Sequence, residues 1–156
     1  MEEVCGVTVG DQEFFIPFGT YNIRNGRNGG LELELQGVDR ANISLGVFQE
    51  TKVTNGIHTR ALAGYHVFAT DAPSRHRGGV AVFYQEETPH FQVEVMQQHG
   101  PNVLSFQVDS GGRRWSILGC YLVPNNAATL EGIATAIGQR PRGAALLMEG
   151  DFNTDP

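Results

Sequence analysis

Apolar runs that end in an oxygen-bearing side chain recur at three places in the sequence: residues 18–23, 43–49 and 146–153. The side chains that these runs deliver are amides and carboxylates: Asn22, Glu50, Asp151 and Asn153. Asp151 and Asn153 are two residues apart, so both side chains of an extended strand point to the same side. The pattern predicts three buried strands whose ends bring these side chains to one shared site.

Helical spacing of apolar residues occurs in two stretches. Residues 31–42 are predicted to form an amphipathic helix, because the apolar residues Leu31, Leu35, Val38 and Ala41 recur at helical spacing. Gly37 weakens this helix. Residues 129–139 are predicted to form a second helix, with one apolar face made of Leu130, Ile133, Ala134 and Ile137. The first helix lies between two predicted strands, an order that implies a crossover and parallel neighbouring strands covered by a helix.

Further β-rich runs make strands the dominant element: residues 65–70, 80–84, 91–98, 102–109 and 114–121. Ser110-Gly111-Gly112 predicts a hairpin between the last two, and residues 51–64 are predicted to be a loop or a short helix. We therefore expect an α/β (α+β) layered sandwich with mixed, mostly antiparallel sheets. Residues 1–17 form a leader, either an extra edge strand or a poorly ordered tail, and residues 18–156 form one domain.

Composition is that of an ordinary globular chain, with 156 residues, 40% hydrophobic and 18% charged. No apolar run approaches the roughly 20 residues of a membrane-spanning helix, and the start of the sequence lacks the pattern of a signal peptide. From this we expect an intracellular protein, nuclear or cytoplasmic.

The net charge of the chain limits which kinds of nucleic-acid-binding protein it could be. A net charge of −6 argues against non-specific coating of nucleic acid, because such binding relies on Lys and Arg. It leaves room for an enzyme with a local basic groove. Ten of the eleven basic residues are arginine, which recognises phosphate in a planar, bidentate manner, and several are clustered in predicted loops.

The side chains at the strand ends suggest a site for a hard cation, because Mg²⁺ prefers oxygen ligands and takes only one or two carboxylates from a protein. Three of these four residues also have a simpler interpretation. Glu50 could pair with Lys52 on the surface, and Asn22 could stabilise the turn after its strand. Asn153 could cap a following helix or turn. Tyr121, which ends the run 114–121, is either a core tyrosine or a phosphate contact. None of the five histidines has the spacing of a zinc site.

Five motifs occur in a fixed order: Thr20-Tyr21-Asn22-Ile23-Arg24-Asn25-Gly26, Val47-Phe48-Gln49-Glu50-Thr51-Lys52, Arg77-Gly78-Gly79-Val80-Ala81-Val82-Phe83-Tyr84, Gly119-Cys120-Tyr121-Leu122-Val123-Pro124 and Gly150-Asp151-Phe152-Asn153. In order and rough spacing they resemble the endonuclease/exonuclease/phosphatase superfamily. The greatest likeness is to the apurinic-type endonuclease domain of non-LTR (LINE-type) retrotransposons. The resemblance begins at Phe18 and extends to the end of the sequence.

The resemblance implies a four-layered α/β sandwich and Mg²⁺-dependent cleavage of DNA phosphodiester bonds, with Mn²⁺ as an alternative metal. By resemblance, Glu50 and Asn22 hold the metal, Tyr121 contacts the scissile phosphate, and Asp151 with Asn153 orients the attacking water and the phosphate. Loop residues that could follow the nucleic-acid backbone are Arg24, Arg75, His76 and Arg77. In the family, a reverse transcriptase follows in the same polyprotein.

The sequence also departs from the family pattern. In the family, further strands follow the Gly-Asp-Phe-Asn motif and end in an Asp and a closing Asp-His motif, whereas this chain ends at Pro156. Arg24 stands where some members carry an acidic residue. We therefore expect an incomplete domain with impaired nuclease activity. The alternatives are a non-catalytic remnant that binds nucleic acid, and a phosphatase that acts on small phosphoesters.

Overall fold

The computed structural model describes residues 2–9, 12–55, 60–86, 91–122 and 126–151. In these residues the chain forms ten strands and two helices: β1 (Glu2–Val9), β2 (Gln12–Asn22), α1 (Gly30–Arg40), β3 (Leu45–Gln49), β4 (Arg60–Leu62), β5 (Tyr65–Ala69), β6 (Val80–Gln85), β7 (Gln92–Gln98), β8 (Val103–Ser110), β9 (Arg113–Tyr121), α2 (Ala127–Gly138) and β10 (Ala145–Asp151). Neither helix is long and apolar enough to cross a membrane.

The strands form two sheets, one with the order β1-β2-β3-β6-β5-β4 and one with the order β10-β9-β8-β7. Two neighbouring pairs are parallel, β2 with β3 and β9 with β10, and each pair is joined through a helix. The described pairs are otherwise antiparallel. This is the crossover arrangement that the order of predicted elements required.

The two sheets pack face to face around the largest apolar cluster, which takes buried side chains from β2, β3, β6, β8 and β9. Helix α1 covers the outer face of the six-stranded sheet through Leu31, Leu35 and Val38. Helix α2 covers the outer face of the four-stranded sheet, where Ala136 packs among residues of β8 and β9. The layers are therefore helix, sheet, sheet and helix, which confirms the predicted α/β sandwich.

Helix α2 buries only part of the face that its apolar residues predicted. Ile133 packs beside Ala136 against the four-stranded sheet, whereas Ala134 is exposed. Leu130 is 57% exposed and Ile137 is 36% exposed, whereas the buried positions are Thr129, Gly132 and Ala136. A Cβ atom at position 132 would overlap the carbonyl oxygen of His99. The helix therefore rests on its small residues, because a larger side chain would hold it away from the sheet.

Three boundaries also differ from the sequence predictions. Strand β2 begins at Gln12, six residues before the predicted start, because it pairs with β1 from Gln12 to Gly19. The leader thus forms an edge strand in the described residues. The segment predicted as a loop or short helix contains the three-residue strand β4, which pairs with β5. Helix α1 ends at Arg40, before the predicted end at residue 42.

Candidate functional site

Four strands of the two sheets end close together, and each carries a residue predicted for the site. In the six-stranded sheet, β2 and β3 are parallel and Asn22 lies opposite Gln49, the residue before Glu50. In the four-stranded sheet, β9 and β10 are parallel and Tyr121 lies opposite Asp151. Parallel neighbours end at the same edge of a sheet. We call Asn22, Glu50, Tyr121 and Asp151 the strand-end site.

A direct hydrogen bond joins the two halves of this site. The hydroxyl of Tyr121 donates to Oε1 of Glu50 at 2.8 Å, and both side chains are half-buried. The residues are 71 positions apart in the sequence and belong to different sheets. The structure therefore brings together the predicted metal ligand and the predicted phosphate contact.

The sheets also approach each other closely next to this bond. A Cβ atom at Gly119, two residues before Tyr121, would lie 2.8 Å from a methyl carbon of Val47 in β3. Any side chain at position 119 would push the sheets apart and separate the ends of β3 and β9. The glycine thus permits the packing on which the Tyr121–Glu50 contact depends.

Glu50 itself has a strained backbone, with a φ of 56°. The left-handed region costs a residue with a Cβ about 1–2 kcal/mol and is enriched at functional sites. Lys52 has a φ of 57°, and Thr51 between them is fully buried. The short turn after β3 is therefore held in a shape that its own residues do not favour.

A pair of glycines holds this turn. The backbone N–H of Thr51 donates to the carbonyl of Gly79 at 3.3 Å, and that of Lys52 donates to the carbonyl of Gly78 at 2.9 Å. Both glycines have positive φ values, 77° and 91°, and a Cβ at Gly79 would overlap Oγ1 of Thr51. The Arg-Gly-Gly motif before β6 thus fixes the conformation of the Glu50 turn.

Asn102 connects this turn to β9. Its side-chain Oδ1 accepts a hydrogen bond from the N–H of Gly79 at 2.9 Å, and its own carbonyl accepts one from the N–H of Tyr121 at 3.0 Å. Asn102 is only 2% exposed. One buried residue therefore contacts both the glycine pair behind Glu50 and the backbone of Tyr121.

Asn22 lies at the exposed end of β2, where its Oδ1 accepts a hydrogen bond from the N–H of Arg24 at 3.1 Å. This is the turn contact that the simpler interpretation of Asn22 predicted. A contact of Asn22 with a metal remains a prediction.

The described part of Asp151 is its backbone, which pairs with Tyr121 at the end of β10. Asn153 lies outside the described residues. Among the described residues no group of three His, Cys, Asp or Glu side chains could hold a metal. Carboxylate and amide oxygens at Glu50 and Asn22 nevertheless fit Mg²⁺, which uses few protein carboxylates.

The residues predicted to bind nucleic acid lie on two loops at the same end of the sandwich. Arg24 is the second residue after β2 and is exposed. Arg75, His76 and Arg77 are exposed on the loop between β5 and β6, and the next residue, Gly78, bonds to Lys52 beside Glu50. Both loops therefore flank the strand-end site.

Solved structures of other proteins share this arrangement of sheets and helices, at low sequence identity. The endonuclease domain of TRAS1, a telomere-specific non-LTR retrotransposon, matches with a TM-score of 0.63 and 15% identity over 88% of this chain and 60% of that chain. An endonuclease/exonuclease/phosphatase family protein from Bacteroides thetaiotaomicron matches with a TM-score of 0.61 and 15% identity over 99% of this chain and 64% of that chain. The chain has the endonuclease/exonuclease/phosphatase fold.

TDP2 from D. rerio, solved with a single-strand DNA product, also shares the endonuclease/exonuclease/phosphatase fold, with a TM-score of 0.58 and 12% identity over 89% of this chain and 61% of that chain. No protein-family model matches the sequence, and no curated protein is significantly similar to it. The predicted resemblance is thus confirmed for the fold. The chain spans 60% of the length of the TRAS1 domain.

Two features of this chain that support the strand-end site, Asn102 and the glycine pair, were not assigned to it from the sequence. Asn102 was predicted only as the start of a strand, and Gly78 and Gly79 only as part of a motif. A buried amide next to a strand start has no distinguishing pattern, since its partners lie 19 and 23 residues away. The two adjacent glycines were a usable signal, because such pairs mark close backbone approach.

Proposed function

We propose that the strand-end site cleaves phosphodiester bonds of DNA in a metal-dependent reaction. The hydrogen bond between Tyr121 and Glu50 carries this proposal, because it places a carboxylate and a phenol at one point between two sheets. A strained backbone at Glu50 and buried hydrogen bonds behind it add support. Structures with the same fold include an endonuclease domain and TDP2 with a DNA product.

Glu50 and Asn22 would hold the metal, through a carboxylate and an amide oxygen. A bound Mg²⁺ neutralises charge on the non-bridging oxygens and the leaving group of a phosphodiester during in-line attack by water. Asp151 and Asn153 would orient that water and the phosphate.

Tyr121 has two tasks that compete for one proton. In the structure its hydroxyl proton is donated to Glu50, which holds the carboxylate in place. A phenol has a single donor, so contact with a phosphate oxygen through this proton requires the hydroxyl to rotate away from Glu50. Tyr121 therefore positions Glu50 before substrate binds and contacts the phosphate afterwards.

DNA is the proposed substrate, and the exposed arginines beside the site would contact its backbone. Arg24, Arg75 and Arg77 flank the strand-end site on two loops, and arginine suits phosphate. His76 lies between two of them, with its Nε2 accepting from Nε of Arg75 at 3.3 Å. If the chain derives from a retrotransposon, a reverse transcriptase would be its partner in the same polyprotein.

A nicking assay on supercoiled plasmid in Mg²⁺ tests this function. Because we expect impaired activity, nicking by the unmodified chain should be weak, and it should fall to background in Glu50→Gln and in Asp151→Asn. Glu131→Gln is the matched control, because Glu131 is exposed on α2 and makes the same change of charge. Tyr121→Phe should lose less activity than Glu50→Gln, since it keeps the ring and removes one hydrogen bond.

Three other outcomes would distinguish the alternative functions from the proposed one. If the folded protein binds DNA but does not nick it, the chain is a non-catalytic nucleic-acid-binding remnant. If it releases phosphate from small phosphoesters, and Glu50→Gln abolishes the release, the site is that of a phosphatase. Nicking that survives both carboxylate substitutions would place the chemistry elsewhere and refute the proposed site.

A further inference from the structure

A second basic surface lies at the opposite end of the four-stranded sheet. Strands β9 and β10 run parallel, so both begin at this end and both finish at the strand-end site. From Trp115 to Tyr121 the chain advances six residues, or about 20 Å at the rise of a strand. A ligand here therefore lies well outside contact distance of Glu50.

The surface is an open groove of about 490 Å³ between the β8–β9 hairpin and the turn that precedes β10. Its walls include Arg113, Arg114, Trp115 and Arg142, with Gly112 and Gly143 at the turns. A Cβ atom at either glycine would have no neighbour within 4 Å. The two turns therefore border open space.

The three arginines differ in how their charges are compensated. Arg114 forms an ion pair with Asp109, whose Oδ1 lies 2.8 Å from Nε, and this bond raises the pKa of Arg114. The side chains of Arg113 and Arg142 are exposed and have no hydrogen bond or ion pair to any other described residue. In a chain with a net charge of −6, two uncompensated guanidinium groups share one groove. Such groups favour a phosphate, which they bind bidentately.

Trp115 adds a feature that phosphate alone does not need. It is the single tryptophan of the chain, it is half-buried, and it packs against the core between the sheets. Its partner on β10 is Ala145, which is too small to cover the ring. The groove therefore combines free arginines with a partly exposed aromatic wall.

We propose that this groove binds a segment of single-stranded nucleic acid. Arg113 and Arg142 hold a backbone phosphate, and a neighbouring base stacks against Trp115. Stacking on an aromatic side chain beside a basic track is how proteins bind single strands without sequence preference. A duplex keeps its bases stacked inside and offers none to Trp115, and an acidic peptide has no flat π-face for it. The groove is independent of the proposed cleavage at the strand-end site.

Trp115 fluorescence tests this directly, because the chain has one tryptophan and it stands in the groove wall. Titration with octathymidylate in EDTA should quench the fluorescence in a saturable manner. Arg113→Ala and Arg142→Ala should each lower the salt exponent of binding by about 0.7, which weakens binding about eightfold at 50 mM salt. Arg142→Lys should keep most of the salt exponent, because it keeps the charge.

Arg140→Ala is the matched control. It removes the same charge two residues from Arg142, but its side chain lies on the α2 side of the sheet. We expect its affinity to stay within about twofold of wild type. With a labelled oligonucleotide, Trp115→Phe should bind nearly normally, and Trp115→Leu should bind at least about fivefold more weakly because stacking is lost.

Several results would overturn the proposal. Tryptophan fluorescence that does not change at saturating oligonucleotide would show that the strand binds elsewhere. An equal loss in Arg140→Ala and Arg113→Ala would mean a diffuse charge effect without a defined groove. Polyglutamate is negatively charged, so the arginines would attract it as they attract nucleic acid. If polyglutamate competes as well as the oligonucleotide, the ligand of the groove is an acidic peptide.

Discussion

Replacing Asn102 with alanine should destabilise the protein and loosen the strand-end site together. The side chain of Asn102 is 2% exposed, and its Oδ1 accepts from the N–H of Gly79 at 2.9 Å. Alanine removes the acceptor and leaves that N–H buried without a partner. The backbone bond from Tyr121 to the carbonyl of residue 102 can persist, because alanine keeps the carbonyl.

The size of the effect follows from this single unsatisfied donor. A buried polar group without a partner costs about 1–3 kcal/mol. Because the oxygen of Asn102 also fills the space beside Gly78, we expect the free energy of unfolding to fall by about 2 kcal/mol in total. For a domain of this length, the melting temperature should fall by about 4–8 °C.

Urea unfolding followed by circular dichroism measures this loss, with the slope of the transition as a check on two-state behaviour. Gln36→Ala is the control, because Gln36 is exposed on α1 and its loss should change stability by less than about 0.5 kcal/mol. A comparably small effect of Asn102→Ala would refute the claim that this amide supports the Glu50 turn.

Three further changes probe the same region and the sheet below it. Gly79→Ala should cost at least about 2 kcal/mol in urea unfolding, because the residue has a φ of 91° and its new Cβ would overlap Oγ1 of Thr51. Thr51→Val should be neutral or stabilising by up to about 1 kcal/mol, because Oγ1 of Thr51 is buried without a hydrogen-bond partner among the described residues. Burial lowers the pKa of His99, so the unfolded chain takes up its proton first. The contribution of His99 to stability is therefore present above about pH 6.5 and is lost as pH falls towards its lower folded value. Unfolding at a series of pH values should show a weaker acid loss in His99→Gln than in wild type.

Each of these predictions has a matched control. Gly138→Ala, at the end of α2, introduces a Cβ with nothing within 4 Å and should leave stability unchanged or raised. Thr135→Val replaces an exposed threonine of α2 and should not stabilise. His76→Gln, on an exposed loop, should keep the acid dependence of wild type. A cost for Gly138→Ala equal to that of Gly79→Ala would contradict the steric explanation. The same slope for both histidine variants would contradict the assignment to His99.

The strands of this fold were predictable because their apolar runs are long and their ends are marked by polar residues or glycine. Parallel strands end at one edge of a sheet, which accounts for the nearness of Asn22 to Gln49, the residue before Glu50, in one sheet and of Tyr121 to Asp151 in the other. Tyr121 was predicted for the site only from the family resemblance. Joining Glu50 to Tyr121 needed more, because they belong to different sheets and no local pattern shows how two sheets are packed.

The predicted face of α2 was wrong except at Ile133, which packs against the sheet, and the reason is physical. Apolar periodicity identified Leu130 and Ile137 as the buried side, but close packing at Gly132 selected the face with small residues. Hydrophobicity alone predicts which residues gain from burial, whereas the distance between helix and sheet decides which residues fit. The role of Asn102 was hidden for a related reason, since its hydrogen bonds go to backbone atoms that only the folded chain brings close.

Anomalous scattering from crystals grown with Mn²⁺ would test the central claim most directly. If the ends of β2 and β3 form a metal site, a single strong peak should lie against the carboxylate of Glu50 and near the side-chain oxygen of Asn22. The peak should disappear in Glu50→Gln and persist in Glu131→Gln. Ordered crystals that show no peak at Glu50, or an equal peak in Glu50→Gln, would contradict a metal site at this edge of the sandwich.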